Sequence, residues 1–168
     1  MNRKKLLLSV AIIFASYSSQ AQIYNYYQIF MYNFAKYIQW PAEKQSGDFV
    51  IGVLGKSPLV SNLENMAATK KVGSQDIRVV VFESIDQVSN CHMLFIPSGK
   101  SSELNGVRAK LQNSATLLIT ENEGLARKGS NINFIVVDGK LRFELNKDET
   151  ERANLKVSGD LTKLAILI

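Results

Sequence analysis

Four short, almost continuously apolar runs limit the folds open to this 168-residue chain more than any other feature of its sequence. Helix-like segments separate these runs, which are 49–54, 77–82, 92–96 and 115–120. A strand with one face in water alternates apolar and polar residues, whereas a continuously apolar strand suits a sheet covered on both faces. The pattern therefore predicts a single α/β domain with a mixed, mostly parallel sheet of about six strands, flanked by helices.

A C-terminal β-hairpin is predicted because Asp138-Gly139 is a strong two-residue turn signal between the segments 131–137 and 140–145. Pairing outward from this turn gives one apolar face, which must lie in the core. That face contains Ile132, Phe134, Val136, Leu141, Phe143 and Leu145. The opposite face has a polar group made of Asn133, Arg142 and Glu144.

This polar group is the best candidate for a binding site. Arg142 and Glu144 are two residues apart on one strand face, so an exposed ion pair of about 0.2–1 kcal/mol would explain both residues. A half-buried Arg142 guanidinium would instead hold a carboxylate or an acidic group of a partner protein. Both interpretations place Asn133 beside the pair.

Capping residues predict the helices between and after the strands. The predicted helix starts are Ser57, Ser101 or Ser102, Thr120, Asn146 and Ser158. Pro58 suits the first position of its helix, which we expect to end near Thr69. Glu121 and Glu123 are then interpreted as first-turn carboxylates that face a helix dipole. The last two predicted helices are the terminal helices of the fold.

The first 21 residues have the three-part layout of a cleaved secretory signal. Basic residues at positions 3–5 precede the apolar run 6–15, and small and polar residues follow. We predict cleavage before Gln22, which makes 1–21 a signal peptide and 22–168 the exported domain. The predicted location is the periplasm, reached across the inner membrane.

Most of the apparent basicity of the chain belongs to this predicted signal. The full chain has 20 basic and 15 acidic residues, and three of the basic residues lie in the first 21 positions. The remainder has 17 basic and 15 acidic residues, which is a net charge of +2. No long Lys/Arg run remains, so the sequence gives no nucleic-acid-binding footprint.

An aromatic-rich segment, 23–38, predicts a first helix with two apolar flanks. One flank contains Tyr27, Met31, Phe34 and Ile38, and the other contains Tyr26, Phe30 and Tyr37. Pro41 cannot continue a helix and biases Trp40 away from helical geometry, so the helix is expected to end near Gln39. The second flank is interpreted either as core or as a surface for a partner chain.

Residue types needed for common catalytic and metal sites are scarce. Cys91 is the only cysteine, so no intramolecular disulfide can form, and we interpret it as a buried small apolar residue. His92 is the only histidine and is interpreted as a structural residue rather than a metal ligand. Gly55-Lys56-Ser57 resembles the end of a phosphate-binding loop, but Val50 stands where that loop needs glycine. We therefore predict no catalytic residues, no metal and no cofactor.

Several sequence blocks, in a fixed order, resemble the YfiR-like family of periplasmic regulatory proteins. These blocks are 32–41, 49–55, 92–98, 124–129, 131–134, 141–146 and 155–158. The first of them contains the tyrosine-asparagine-phenylalanine helix that runs into the Trp40-Pro41 pair. The chain departs from the family in having a single cysteine, because disulfide pairs occur in that family.

The resemblance implies an exported, non-catalytic protein that binds an inner-membrane signalling sensor and represses or modulates it. The sensor would be a diguanylate cyclase, which makes cyclic di-GMP, or a histidine kinase. A homodimer is also implied. On this interpretation Tyr27, Phe30 and Tyr37 are the candidate self-association residues. Trp40 is interpreted either as an anchor for the partner or as a core residue that packs the helix onto the sheet.

The alternative interpretation is a periplasmic module that binds a small-molecule effector. Ligands of open α/β sheets bind at the carboxyl ends of the strands. In this sequence those ends place Gly55, Ser98 and Thr120 near one another, and Arg142 is a second place for such a ligand.

Overall fold

A computed structural model describes residues 22–168, so the predicted signal peptide lies outside the described residues. The helices are α1 (22–37), α2 (Leu59–Ala67), α3 (Leu104–Lys110), α4 (Lys147–Arg152) and α5 (Gly159–Leu164). The strands are β1 (Ile38–Gln39), β2 (Phe49–Leu54), β3 (Lys71–Val72), β4 (Gln75–Phe82), β5 (Met93–Ile96), β6 (Leu117–Thr120), β7 (Ile132–Val137), β8 (Lys140–Leu145), β9 (Lys156–Val157) and β10 (Ile166–Leu167). Short 3-10 helices occupy Ala42–Lys44, Ile85–Gln87 and Ser98–Glu103.

The main sheet has eight strands in the order β10-β8-β7-β6-β5-β2-β4-β3. Five of its strand pairs are parallel, and only the pairs β7–β8 and β3–β4 are antiparallel. The predicted mixed, mostly parallel α/β fold is therefore confirmed. The additional strands β3 and β10 are two residues long, and runs this short have no periodicity from which to predict them.

Helices cover both faces of this sheet, which explains the continuously apolar strands. On one face, α1 and α2 pack against alternate strand residues such as Ile51, Phe95 and Phe134. On the other face, Leu104 and Val107 of α3 form a smaller core with the remaining residues of β2, β5 and β6. All six residues of β2 are buried as a result.

The hairpin register is confirmed, with Val137 opposite Lys140 and Asn133 opposite Glu144. Phe134 and Phe143 lie in the core as predicted, but Val136 is 58% exposed. The prediction for Val136 is wrong because β6 pairs with only the first two residues of β7, so the hairpin tip extends past the sheet.

The helices predicted from Ser57, Ser101 or Ser102, Asn146 and Ser158 are present as α2 to α5, and the last two begin at the predicted capping side chain. Asn146 Oδ1 accepts a hydrogen bond from the Glu149 amide, and Ser158 Oγ accepts one from the Leu161 amide. The helix predicted from Thr120 is wrong, because the segment after β6 forms turns. Thr120 is fully buried and its hydroxyl donates to Asn133 Oδ1 at 2.7 Å, so it cannot cap a helix.

The residues after α5 form a short strand that the sequence does not predict. Ala165 has extended backbone geometry, and α5 ends at Leu164. Ile166 and Leu167 then pair in parallel with Glu144 and Leu145 and form the edge strand β10.

Candidate functional site

The inner flank of α1 lies in the core of the domain. The Tyr27 ring stacks on Phe134 with centroids 4.1 Å apart, and Phe34 lies edge-on to Phe143 at 5.0 Å. Tyr27 is only 5% exposed. It is therefore unavailable as a self-association residue in this structure, and its place among the candidates is corrected.

The outer flank of α1 is exposed and forms part of a larger apolar area. Among residues 22–168, all exposed large apolar side chains except Val81 lie on α1, the hairpin tip or the C-terminal segment. These side chains are Tyr26, Ile29, Tyr37, Val136, Val137, Leu164 and Leu167. Phe30 is half-buried on the same helix and packs against the rings of Phe134 and Phe143.

Two adjacent hollows in this area share Phe30 as a common wall. The larger has a volume of about 590 Å³ and lies between Tyr26, Val136 and Leu141. The smaller, about 390 Å³, is lined by Arg142, Phe143, Lys163 and Leu164. We define the α1–hairpin surface as Tyr26, Phe30, Val136, Leu141, Arg142 and Leu164, and it is the candidate functional site.

The α1–hairpin surface borders an open strand edge. Strand β10 pairs only with Glu144 and Leu145, so residues 140–143 of β8 have no strand neighbour on their outer side within the described chain. Unpaired edges of this kind are templates for a strand or loop of another chain. Lys140 and Arg142 give this edge a positive charge.

The predicted polar group is only partly assembled. Asn133 is fully buried, and its Nδ2 donates to Glu144 Oε2 at 2.9 Å. Arg142 is exposed and makes no ion pair with Glu144 among the described residues. Asn133 and Glu144 are thus a structural hydrogen-bonded pair, whereas Arg142 belongs to the α1–hairpin surface.

Trp40 lies near the amino-terminal ends of β2 and β5, in a sealed aromatic cluster that we call the Trp40–His92 cluster and that also contains Phe49. Trp40 is 5% exposed, and its indole Nε1 donates to the His92 carbonyl at 3.2 Å. The Phe49 ring stacks on His92 with centroids 4.4 Å apart. Trp40 is therefore a core residue, which agrees with the second of its two interpretations, and it is not exposed to anchor a partner.

His92 is held by both of its ring nitrogens. Nδ1 accepts a hydrogen bond from the Val50 amide at 3.0 Å, and Nε2 lies 2.7 Å from the Lys44 carbonyl. Only a neutral imidazole that carries its proton on Nε2 satisfies both contacts. Burial lowers the pKa of His92 below its usual range. These contacts agree with the structural role predicted for this residue.

Cys91 is completely buried, and burial raises the pKa of its thiol to about 11. A protonated, enclosed thiol is a poor nucleophile. No group of three or more histidine, cysteine, aspartate or glutamate residues suitable for a metal occurs within residues 22–168.

The carboxyl ends of the strands, where the alternative interpretation placed a small molecule, are occupied by protein side chains. Glu121 Oε1 accepts a hydrogen bond from the Ser98 amide at 2.8 Å, and the Lys100 side chain covers Gly55. Burial raises the pKa of Glu121, and burial together with the nearby charge of Glu121 raises the pKa of Tyr27 on α1. The sequence indicated Glu121 at a strand end but not its contact with α1, which depends on the tertiary fold.

Within residues 22–168, no helix is both long enough and apolar enough to cross a membrane. No curated protein is significantly similar to the chain. A family model described as YfiR/HmsC-like matches residues 24–166, which is nearly all of the described fold. The chain therefore belongs to the YfiR/HmsC-like family, whose members are known as periplasmic regulators.

Proposed function

We propose that this protein is an exported regulator that binds the periplasmic part of an inner-membrane signalling sensor and represses or modulates it. The sensor is a diguanylate cyclase or a histidine kinase. Family membership supports the regulatory role, and the α1–hairpin surface is the observation that supports protein binding.

The α1–hairpin surface is better suited to contact with a protein than to contact with water. Large exposed apolar areas on soluble domains commonly mark interaction sites. Tyr26 is 49% exposed, Val136 58% and Leu164 62%, so a partner that covers them removes apolar area from water. Such burial contributes roughly 25 cal/mol for each Å² removed. The adjacent Arg142 would pair with an acidic group at the rim.

Regulation by such a protein requires a difference between two states of the sensor. A bound protein shifts a conformational equilibrium only when it binds one conformation more tightly than the other. We propose that the α1–hairpin surface recognises one conformation of the sensor and that an envelope signal weakens this contact.

The proposed role is non-catalytic. Both ring nitrogens of His92 are engaged in hydrogen bonds, and Cys91 is enclosed with a raised pKa. Neither residue is arranged as a nucleophile or a general base in the way that covalent catalysis needs. We also propose that the chain forms a homodimer, with the exposed ring of Tyr37 at the contact between the two copies.

The test is site-specific crosslinking in the native envelope, with capture of the partner by the wild type and by two matched variants. Val136→Asp places a charge in the α1–hairpin surface. Val81→Asp makes the same change at an exposed strand position outside that surface. We expect Val81→Asp to capture the same membrane sensor as the wild type and Val136→Asp to lose it.

Two outcomes would contradict the proposal. If both variants capture the sensor equally, the α1–hairpin surface is not the contact. If the wild type reproducibly captures no membrane protein, the regulator interpretation fails and the small-molecule module gains support.

A further inference from the structure

A cleft of about 490 Å³ lies on the face of the sheet opposite α1. Its walls are α3, α4 and the segment that joins α3 to β6, and Leu118 of β6 contributes to its apolar floor. This volume lies within the range of roughly 300–1,000 Å³ that is typical of small-ligand sites. The cleft shares no lining residue with the two hollows of the α1–hairpin surface.

The cleft has an excess of positive charge. Its ionisable lining residues are Arg108, Glu149 and Arg152. Arg108 Nη2 donates to Glu149 Oε1 at 2.8 Å, and Arg152 Nη1 donates to the same oxygen at 2.6 Å. One carboxylate oxygen thus serves two guanidinium groups, which leaves a net charge of +1 and several N–H donors for an anion.

A buried amide provides a further donor in the cleft lining. Asn131 is only 3% exposed, and its Oδ1 accepts a hydrogen bond from the Leu118 amide at 2.6 Å. Its Nδ2 makes no hydrogen bond with any described residue. Every fully enclosed side-chain nitrogen or oxygen within residues 22–168, by contrast, has a hydrogen-bond partner. Asn131 Nδ2 must therefore be open to the cleft, where it has two hydrogens to donate.

The position of Arg108 depends on a glycine. Gly129 has a φ of +107°, and a side chain there would occupy the position of the Arg108 guanidinium group. The glycine therefore allows this guanidinium to lie close against the backbone. Its contact with Glu149 on α4 then fixes its direction, so the donors are positioned before any ligand binds.

We propose that this cleft binds a small organic anion through a carboxylate or phosphate group. The anionic group lies against the free N–H donors of Arg108 and Arg152, and Asn131 Nδ2 donates to one of its oxygen atoms. The apolar part of the ligand lies along Leu118. This site is separate from the proposed sensor contact, because the two surfaces share no lining residue.

The test is isothermal titration calorimetry on the purified protein with two probes, sodium succinate and inorganic phosphate, at constant ionic strength. Saturable binding with a Kd below about 5 mM is expected for at least one probe. Binding of succinate alone would assign the site to carboxylates, and binding of phosphate alone would assign it to phosphate groups. Absence of binding by both probes would overturn the proposal.

Three variants locate the binding. Arg152→Gln removes one guanidinium and is expected to weaken binding about tenfold. Asn131→Asp keeps the acceptor for the Leu118 amide but replaces the free donor with an oxygen, so binding should be lost. Lys163→Gln is the matched control, because Lys163 is also a basic residue paired with a carboxylate three positions earlier on a short helix.

The comparison between Arg152→Gln and Lys163→Gln decides the result even if Asn131→Asp does not fold. Affinity that falls for Arg152→Gln alone supports the cleft. Equal losses for both variants would show a general charge effect and overturn the proposal, and an unchanged affinity for Arg152→Gln would overturn it as well. Sensor capture by Arg152→Gln should equal that of the wild type, so failure here is distinct from failure of the proposed function.

Discussion

The Trp40–His92 cluster and the α1–hairpin surface are both rich in aromatic and apolar side chains, but the cluster is buried and the surface is exposed. In the cluster, Trp40 is 5% exposed and its indole nitrogen has an acceptor within the chain. On the surface, Tyr26 is 49% exposed and Leu164 is 62% exposed. Aromatic content therefore does not distinguish a core from an exposed surface, and the distinction comes from whether the chain supplies the covering atoms.

The largest expected effect concerns the sealed cluster. Trp40→Ala removes a buried ring that lies 5.0 Å from Phe49, so it should reduce the free energy of unfolding by about 3–5 kcal/mol. Tyr26→Ala removes a half-exposed ring and should change the free energy of unfolding by less than about 0.5 kcal/mol. Urea unfolding measures both. Equal destabilisation by the two variants would remove the contrast between the regions.

A second contrast lies within the hairpin itself. Asn133→Ala removes a buried amide that accepts from the Thr120 hydroxyl and donates to Glu144, so it should cost about 1–3 kcal/mol of unfolding free energy. Arg142→Ala changes an exposed side chain and should alter the free energy of unfolding by less than about 0.5 kcal/mol. Urea unfolding of both variants separates the structural pair from the surface residue.

Arg142→Ala also has a functional readout. We expect it to reduce sensor capture in the envelope while the fold stays intact. If folding and capture both stay at the wild-type level, Arg142 is only a surface residue of β8.

The sequence predicted the sheet well because its signals are local. Continuous apolar runs define β2, β4, β5 and β6, and Asp138-Gly139 sets the hairpin register. Side-chain caps at Asn146 and Ser158 begin α4 and α5 in the same local way. Each of these features depends on residues that are close together in the chain, which is why they can be inferred without a structure.

The candidate site was harder to predict because burial depends on distant residues. Trp40 is covered by Phe49 and His92, and Tyr27 is covered by Phe134, which is more than 100 residues away. The helix signal at Thr120 failed for the same reason, because Asn133 uses its hydroxyl. Pattern alone indicated two apolar flanks on α1 but could not show how far the hairpin covers the second flank.

The next prediction is that the free energy of unfolding depends on pH through His92 in the Trp40–His92 cluster. Burial lowers the pKa of His92 in the folded state, whereas the unfolded chain keeps the ordinary value of 6.5. As the pH falls below 6.5, the unfolded state binds a proton first, so the free energy of unfolding should decrease. His92→Gln should lack this decrease, which urea unfolding between pH 7.5 and 5 would measure.

Glu121 provides the control for this experiment, because its pKa is raised by burial and its contribution has the opposite sign. The folded state binds a proton at Glu121 more readily than the unfolded state does. Glu121 therefore increases the free energy of unfolding as the pH falls, and this contribution is lost as the pH rises through the raised pKa. The decrease due to His92 should therefore persist in Glu121→Gln. If the free energy of unfolding of the wild type and of His92→Gln changed with pH in the same way, the pH dependence could not be assigned to His92.

The smallest effect on folding is expected at Tyr37, on the outer flank of α1. Its ring is 42% exposed and Lys36 Nζ lies 5.9 Å from the ring centroid, so Tyr37→Ala should leave the free energy of unfolding nearly unchanged. If this ring lies between two copies of the chain, its removal should weaken self-association about tenfold, since tyrosine is a common hot-spot residue. Sedimentation velocity over a concentration series measures this, with Val81→Ala as the control. A dimer of unchanged affinity would place the contact elsewhere, and the α1 outer flank would then be free to meet only the sensor.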